Sequence, residues 1–128
     1  FCAVVFLSAD FIVFAQGPGG DYRGALLRFS SDKVPRPNTT DDHAMVKQKI
    51  TLTQAPDPPQ TFTALLSSDK TIKSGIISVV VPSVEALIEN MADEQSFKIE
   101  MDGRVVLEGK WHDGLKAAKE LRACAQAR

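Results

Sequence analysis

Alternation of apolar and polar side chains predicts β-strands along much of this chain. The clearest case is 46–53 (VKQKITLT), where Ile50 and Leu52 share one face while lysines and threonines occupy the other. The β-branched run 75–81 (GIISVVV) instead predicts a strand that is covered on both faces. Weaker alternation predicts further strands over 24–30 and 61–67.

Two segments have helical periodicity. Apolar residues recur at i, i+3, i+4 and i+7 from Val84 to Met91, and Ser83 before them is a suitable N-cap, so we expect a helix through about Ala92. A second helix is predicted over 114–126, with Asp113 as its cap. Its apolar stripe comprises Ala117, Ala118, Leu121, Cys124 and Ala125.

A β-hairpin is predicted between the two helices. A three-residue loop at 101–103, with its glycine as a bulge, pairs Ile99 with Val105 and opposes Glu100 to Arg104. This register keeps apolar residues on one face and brings unlike charges together.

These elements indicate an α+β protein. We expect an antiparallel sheet or compact β-sandwich of about five to seven strands, with one internal helix and one C-terminal helix. The 128 residues are the size of one domain, which we place at 16–128.

The segment 1–15 is more apolar than the rest of the chain and permits two interpretations. It resembles a secretory signal segment, because it is too short to span a membrane, which takes about 20 residues, and small or aliphatic residues precede Gln16. Alternatively, 1–7 and 11–15 form a β-hairpin.

The pairing of the two cysteines depends on whether the segment 1–15 is retained. If 1–15 is retained, Cys2 can form a disulfide with Cys124. If it is removed, Cys124 is alone, either as a buried residue of its helix or as an intermolecular link.

Charge is balanced overall but uneven along the chain. The formal net charge is −1, which argues against a nucleic-acid partner. The stretch 82–102 holds six acidic residues and one lysine, a net of −5, whereas 103–128 holds six cations and three acidic residues, a net of +3. The candidate protein-binding residues are therefore Glu85, Glu89, Asp93, Lys116, Lys119 and Arg122.

The sequence lacks the usual patterns for catalysis. It has no phosphate-binding glycine loop and no G-x-S-x-G segment. His43 and His112 are 69 residues apart, and Cys124 falls on an apolar helix face, which does not favour a nucleophile. We therefore expect no enzyme activity, no metal and no cofactor.

The C-terminal third resembles the ends of small bacterial periplasmic domains of the invasion-associated locus B type. The likeness lies in a hairpin (SFKIEMDGRVVLEGKW) followed by the ending GLKAAKELRAC, with Gly114, Ala117 or Ala118, Leu121 and Cys124 in the matching pattern. The early chain lacks the tryptophan and paired cysteines of that group. The resemblance implies a secreted, β-rich domain without known catalysis.

We therefore expect an exported, periplasmic or secreted protein-binding domain, related to the envelope or to host interaction, without stable membrane insertion. The alternative is a small enzyme inhibitor or immunity-type protein that inserts a loop. Prolines stiffen two loops, 33–42 and 55–60, and pre-ordering lowers the entropy cost of binding.

Overall fold

A computed structural model describes residues 2–17, 24–37, 45–69, 74–89 and 91–126, apart from the side chain of Asp69. Within these ranges the chain forms eight β-strands and two α-helices. In chain order they are β1 (Cys2–Leu7), β2 (Ile12–Gly17), β3 (Ala25–Ser31), β4 (Val46–Thr53), β5 (Gln60–Asp69), β6 (Ser74–Val81), α1 (Val84–Ile88), β7 (Gln95–Met101), β8 (Arg104–Trp111) and α2 (Gly114–Gln126).

All eight strands belong to one sheet, in the order β1-β2-β3-β6-β5-β4-β7-β8. Every neighbouring pair is antiparallel. The β4–β5 hairpin follows β3 in the sequence, and β6 then returns to lie between β3 and β5 and pairs with both. The outermost strands in this order are β1 and β8.

The sheet curls into a half-barrel. Seven strand spacings of about 4.8 Å would put β1 and β8 about 34 Å apart in a flat sheet. Instead, the rings of Phe6 on β1 and Trp111 on β8 stack with centroids 4.9 Å apart. Phe29 on the third strand and Phe97 on the seventh also meet, at 5.0 Å. The concave face therefore packs against itself and forms the core.

The expectation of five to seven strands in a sheet or sandwich is wrong. The observed eight-stranded curled sheet carries two short helices, and the described residues form no second layer of strands. Alternation reports which side chains face inward, and it is the same for a strand that faces a second sheet and for one that faces the far wall of a curled sheet. Curvature is set by packing between distant residues, such as Phe29 and Phe97.

Residues 2–17 are an integral part of this sheet. β1 and β2 pair from Cys2 with Gly17 to Leu7 with Ile12, and β2 pairs onward with β3. Val13 and Ala15 are completely buried. The turn between the strands is fastened by Ser31, whose Oγ donates to the Asp10 carbonyl at 2.7 Å.

The β7–β8 hairpin differs from the expected register. Met101 pairs with Arg104, leaving a two-residue loop in which Asp102 and Gly103 both have positive φ, 51° and 78°. The expected three-residue loop is wrong. Farther along, Ile99 pairs with Leu107 because a bulge restores the apolar face. Side-chain alternation alone does not distinguish a three-residue loop from a tight turn that is followed by a bulge.

The helices lie close together at one end of the sheet. The Ser83 hydroxyl caps α1 by accepting from the Ala86 N–H at 3.0 Å. α1 ends at Ile88, earlier than expected, and the carbonyl of Asp93 accepts from the Gly114 N–H at the start of α2. The segment after Ile88 thus contacts the start of α2 and is not helical, although helical periodicity alone assigns its residues up to about Ala92 to α1.

Candidate functional site

A disulfide joins the first strand to the last helix. Cys2 on β1 is 2% exposed and bonds to Cys124 on α2, across 122 residues of chain. Cys124 itself is exposed, so it is not the buried, lone side chain that the apolar stripe of its helix suggested. The bond holds α2 beside β1.

The acidic and basic candidate residues lie on adjacent helices rather than on separate patches. Arg122 Nη2 lies 3.2 Å from Glu85 Oε1, and both side chains are largely exposed. Glu89 is exposed after the last turn of α1, and Asp93 lies beside the start of α2 through its carbonyl bond to Gly114. Part of the predicted charge separation is thus cancelled locally by the pair between Glu85 and Arg122.

The remaining candidate lysines lie on different flanks of α2. Lys119 is exposed and precedes Arg122 by three residues, which puts both on the flank toward α1. Lys116 instead borders a groove beside β1, together with Glu120 one helical turn later. The structure therefore groups Arg122 and Lys119 with α1, and Lys116 with β1.

This groove is an open concave surface next to an outer strand of the sheet. It has a volume of about 510 Å³ and runs along β1, between that strand and the end of β8 with the start of α2. Its lining residues are Ala3, Val4, Val5, Phe6, Leu7, Trp111, His112, Asp113, Lys116, Ala117 and Glu120. We refer to this feature as the β1 groove.

The backbone of β1 has groups that β2 does not use. The Ser8 N–H donates to the Phe11 carbonyl at 3.0 Å, which fixes the alternation of hydrogen-bonded pairs along the hairpin. In an antiparallel ladder, every second residue then directs its N–H and C=O away from its partner. On β1 these residues are Ala3, Val5 and Leu7.

The same residues carry exposed apolar side chains. Val5 is 46% exposed and Leu7 is 78% exposed, whereas Cys2 and Phe6 point into the core. β1 contains no charged residue and no proline. The sequence signal for this strand was the content of Val and Phe in 1–7, which fits the hairpin interpretation of that segment but does not indicate that one edge of the strand stays open.

Another ion pair joins Glu94, just before β7, to Lys110 on β8. Lys110 Nζ is 2.8 Å from Glu94 Oε1, and both are exposed. The hydrogen bond from Lys110, its positive charge and then that of His112 hold the pKa of Glu94 below its ordinary value.

Only some of the candidate catalytic and loop residues lie in the described part of the chain. Within the described ranges no three His, Cys, Asp or Glu residues cluster to hold a metal. His112 is exposed at the β1 groove, while His43 lies outside the described residues. The residues of loop 55–60 are all exposed, and Gln95 fastens the loop because its Nε2 donates to the Ala55 carbonyl at 3.0 Å. The loop 33–42 is described only as far as Pro37.

The chain matches no family model, no curated protein and no solved structure. The likeness to proteins of the invasion-associated locus B type therefore stays a prediction. Among the described residues, neither helix has the length and apolar character required to cross a membrane.

Proposed function

We propose that this chain is an exported, non-enzymatic domain that binds another protein, and that it receives an extended segment of its partner along β1. The observation that carries the proposal is the open edge of β1, where the free backbone groups of Ala3, Val5 and Leu7 coincide with exposed apolar side chains.

Edge strands of this kind are normally protected. Proteins place lysines, prolines or bulges on an exposed edge because its unpaired N–H and C=O groups attract any other extended chain. β1 has none of these features. An added strand would gain main-chain hydrogen bonds from the edge and would bury Val5 and Leu7 with its own apolar residues.

The charged helices supply a rim for such a site. Lys116 and Glu120 border the β1 groove, and Asp113 and His112 lie at its end. Charges at a rim steer the encounter and exclude unsuitable partners more than they add affinity. In this proposal the partner is an apolar strand with polar or charged flanks, and the pair between Glu85 and Arg122 helps to hold α2 in place.

Export is supported by the disulfide. Bonds of this kind form and persist in oxidising compartments and are rare where cellular thiol systems keep cysteines reduced. Cys2 and Cys124 tie together two elements that both border the β1 groove. A periplasmic or secreted location is therefore part of the proposal.

The test is selection of peptides from a random displayed library on the oxidised protein. We expect selected peptides to alternate apolar and polar residues and to lose binding to the Val5→Lys variant, because that change adds a protective charge to the edge. The matched control is Leu115→Lys. Leu115 is likewise exposed, at 60%, but it lies on α2 and does not line the β1 groove.

Two results would remove β1 as the binding surface. One is retention of full affinity by the Val5→Lys variant. The other is equal loss of binding in both lysine variants while circular dichroism shows each to be folded.

A further inference from the structure

The outer, convex face of the curled sheet differs between its two ends. Successive side chains of a strand point to opposite faces, so residues that alternate with the buried Val13, Phe29 and Ile77 point outward. On β7 and β8 the outward side chains are mainly charged, as expected where one face of an antiparallel sheet is solvated. These charged residues are Lys98, Glu100, Glu108 and Lys110.

On β1, β2, β3, β6 and β5 the outward side chains are mainly apolar. Cross-strand pairing aligns them, since Val5 pairs with Phe14 and Leu26 pairs with Val80. We refer to these apolar residues as the outer apolar patch, which consists of Ala3, Val5, Leu7, Ile12, Phe14, Leu26, Leu65, Ile76 and Val80.

Much of this patch is accessible. Leu7 is 78% exposed and Val80 is 54% exposed. The sequence pattern predicts that β6 is covered on both faces, yet Val80 on its outer face remains open. Contiguous exposed apolar side chains mark surfaces that contact a partner or a membrane.

Three cations lie within the patch or at its border. Arg28 on β3 pairs in register with Phe14 and is half-buried. Lys47 and Lys49 are exposed and point outward from β4, where Lys47 pairs with Leu65. The apolar surface is therefore bounded by positive charge on the side of β4.

No described carboxylate lies within ion-pair distance of these three cations. The described side chains that point outward from β1 to β6 include no aspartate or glutamate. Asp10, in the adjoining turn, is paired with Lys33 at 3.8 Å. The patch and its border thus have a positive charge, although the formal net charge of the chain is −1.

The curvature and the charge of this face restrict what can cover it. Two copies of the chain would meet along a narrow strip, because both faces are convex, and would bring their cations together. A bilayer surface adapts to a convex shape and offers apolar acyl chains together with head-group phosphates. An anionic bilayer also attracts lysine and arginine side chains close to its surface.

We propose that this outer face adsorbs reversibly to an anionic lipid bilayer. The outer apolar patch lies at the boundary between head groups and acyl chains, as the apolar faces of other interfacial proteins do. Lys47 and Lys49 lie at head-group level, because the sheet curves away from the bilayer toward β4. Arg28 packs its stem among the apolar side chains and directs its guanidinium to a phosphate.

This inference goes beyond the proposed strand addition at β1 and can fail separately from it. The two surfaces share Val5 and Leu7, but strand addition uses the backbone of β1 and adsorption uses side chains of five strands. The variants chosen below lie on β4 and β6 and leave β1 unchanged.

The experiment is co-sedimentation of the oxidised protein with sucrose-loaded vesicles. One set is phosphatidylcholine alone, and the other contains about 30% phosphatidylglycerol. We expect binding to the anionic vesicles to be at least tenfold stronger than to the neutral ones. Raising the salt to about 0.5 M should weaken it at least threefold, because salt screens the head-group charge.

A charge variant locates the electrostatic contribution. Lys47→Gln/Lys49→Gln should weaken binding to the anionic vesicles about ten- to thirtyfold. The matched control is Lys116→Gln/Lys119→Gln, which removes the same charge from exposed positions on α2. This control should bind within about twofold of the unchanged protein.

An apolar variant locates the contact with the acyl region. Val80→Ser should weaken binding about two- to fivefold, because it removes apolar surface from the patch. Val105→Ser is the matched control, since Val105 is 50% exposed but lies on β8, at the charged end of the sheet. Circular dichroism checks that each variant is folded.

The proposal is overturned if the protein binds neither set of vesicles, including the case in which this face instead binds an acidic protein. It is also overturned if neutral and anionic vesicles bind equally, or if either control variant loses as much binding as its matched test variant. The salt and lipid comparisons use the unchanged protein, so they remain decisive if a variant does not fold.

Discussion

Single residues mark the places where distant parts of the chain come closest. Gly109 on β8 lies against the Phe11 ring, so that a Cβ at this position would overlap the ring. Gly114 is similarly close to the Ala92 carbonyl, where α2 begins. Glycine at these positions lets the β1–β2 turn reach β8 and lets α2 start against the segment after α1.

The ion pair between Glu94 and Lys110 can be tested by measuring the pKa of Glu94. Lys110 holds the pKa of Glu94 below its ordinary value, so Lys110→Met should raise that pKa toward the ordinary range. The contribution of the pair to stability is present above the ordinary carboxyl pKa and is lost as pH falls through the lowered value. Carboxyl NMR titration of Glu94 measures the shift.

Lys119→Met is the control for this titration, because Lys119 is exposed on α2 and is not among the groups that shift Glu94. A Glu94 pKa that stays the same in Lys110→Met, or that moves equally in both variants, would contradict the assignment.

At the scale of elements, local sequence patterns predicted where strands and helices lie along the chain better than they predicted how these elements pack together. The strand over 46–53 and the cap at Ser83 follow from side-chain alternation and from hydroxyl chemistry, which are properties of adjacent residues. The end of α1 and the exposure of Cys124 depend on contacts with elements far away in sequence. Of the six charged candidate residues, Lys116 lines the β1 groove, and the open β1 edge could be recognised only from the strand order.

The disulfide makes a prediction for the two elements that it joins. Opening a loop of this length should lower the free energy of unfolding by about 3 to 5 kcal/mol. We expect this loss in the double variant Cys2→Ala/Cys124→Ala, measured by urea unfolding against the oxidised protein. Alanine is used rather than serine, because serine would bury a hydroxyl at the nearly inaccessible Cys2 site.

Each single alanine variant is the control, since either one opens the same bond. A double variant as stable as the oxidised protein would show that the bond contributes nothing, and a large difference between the two single variants would show that side-chain packing dominates. Intact mass under non-reducing conditions establishes both the oxidation state and the retention of residues 1–15.

The described residues form a single curled sheet with two helices, and the outer strands β1 and β8 approach without pairing. Phe6 and Trp111 close the concave face by stacking, while α2 and the disulfide brace β1 from the side. The curl creates two concave surfaces: a cleft near α1, lined by both apolar and polar side chains, and a groove along a strand with free backbone groups. The net charge of the chain is near zero although both helices carry charged residues, because the charges on the two adjacent helices are of opposite sign.

Hydrogen exchange at single amides of β1, followed by NMR, tests the open edge most directly. In the free protein we expect the Val5 and Leu7 amides to exchange faster than those of Val4 and Phe6, which pair with β2. Addition of a library-selected peptide should slow exchange at Val5 and Leu7. Protection of these two amides in the free protein, or unchanged exchange in the complex, would contradict strand addition at β1.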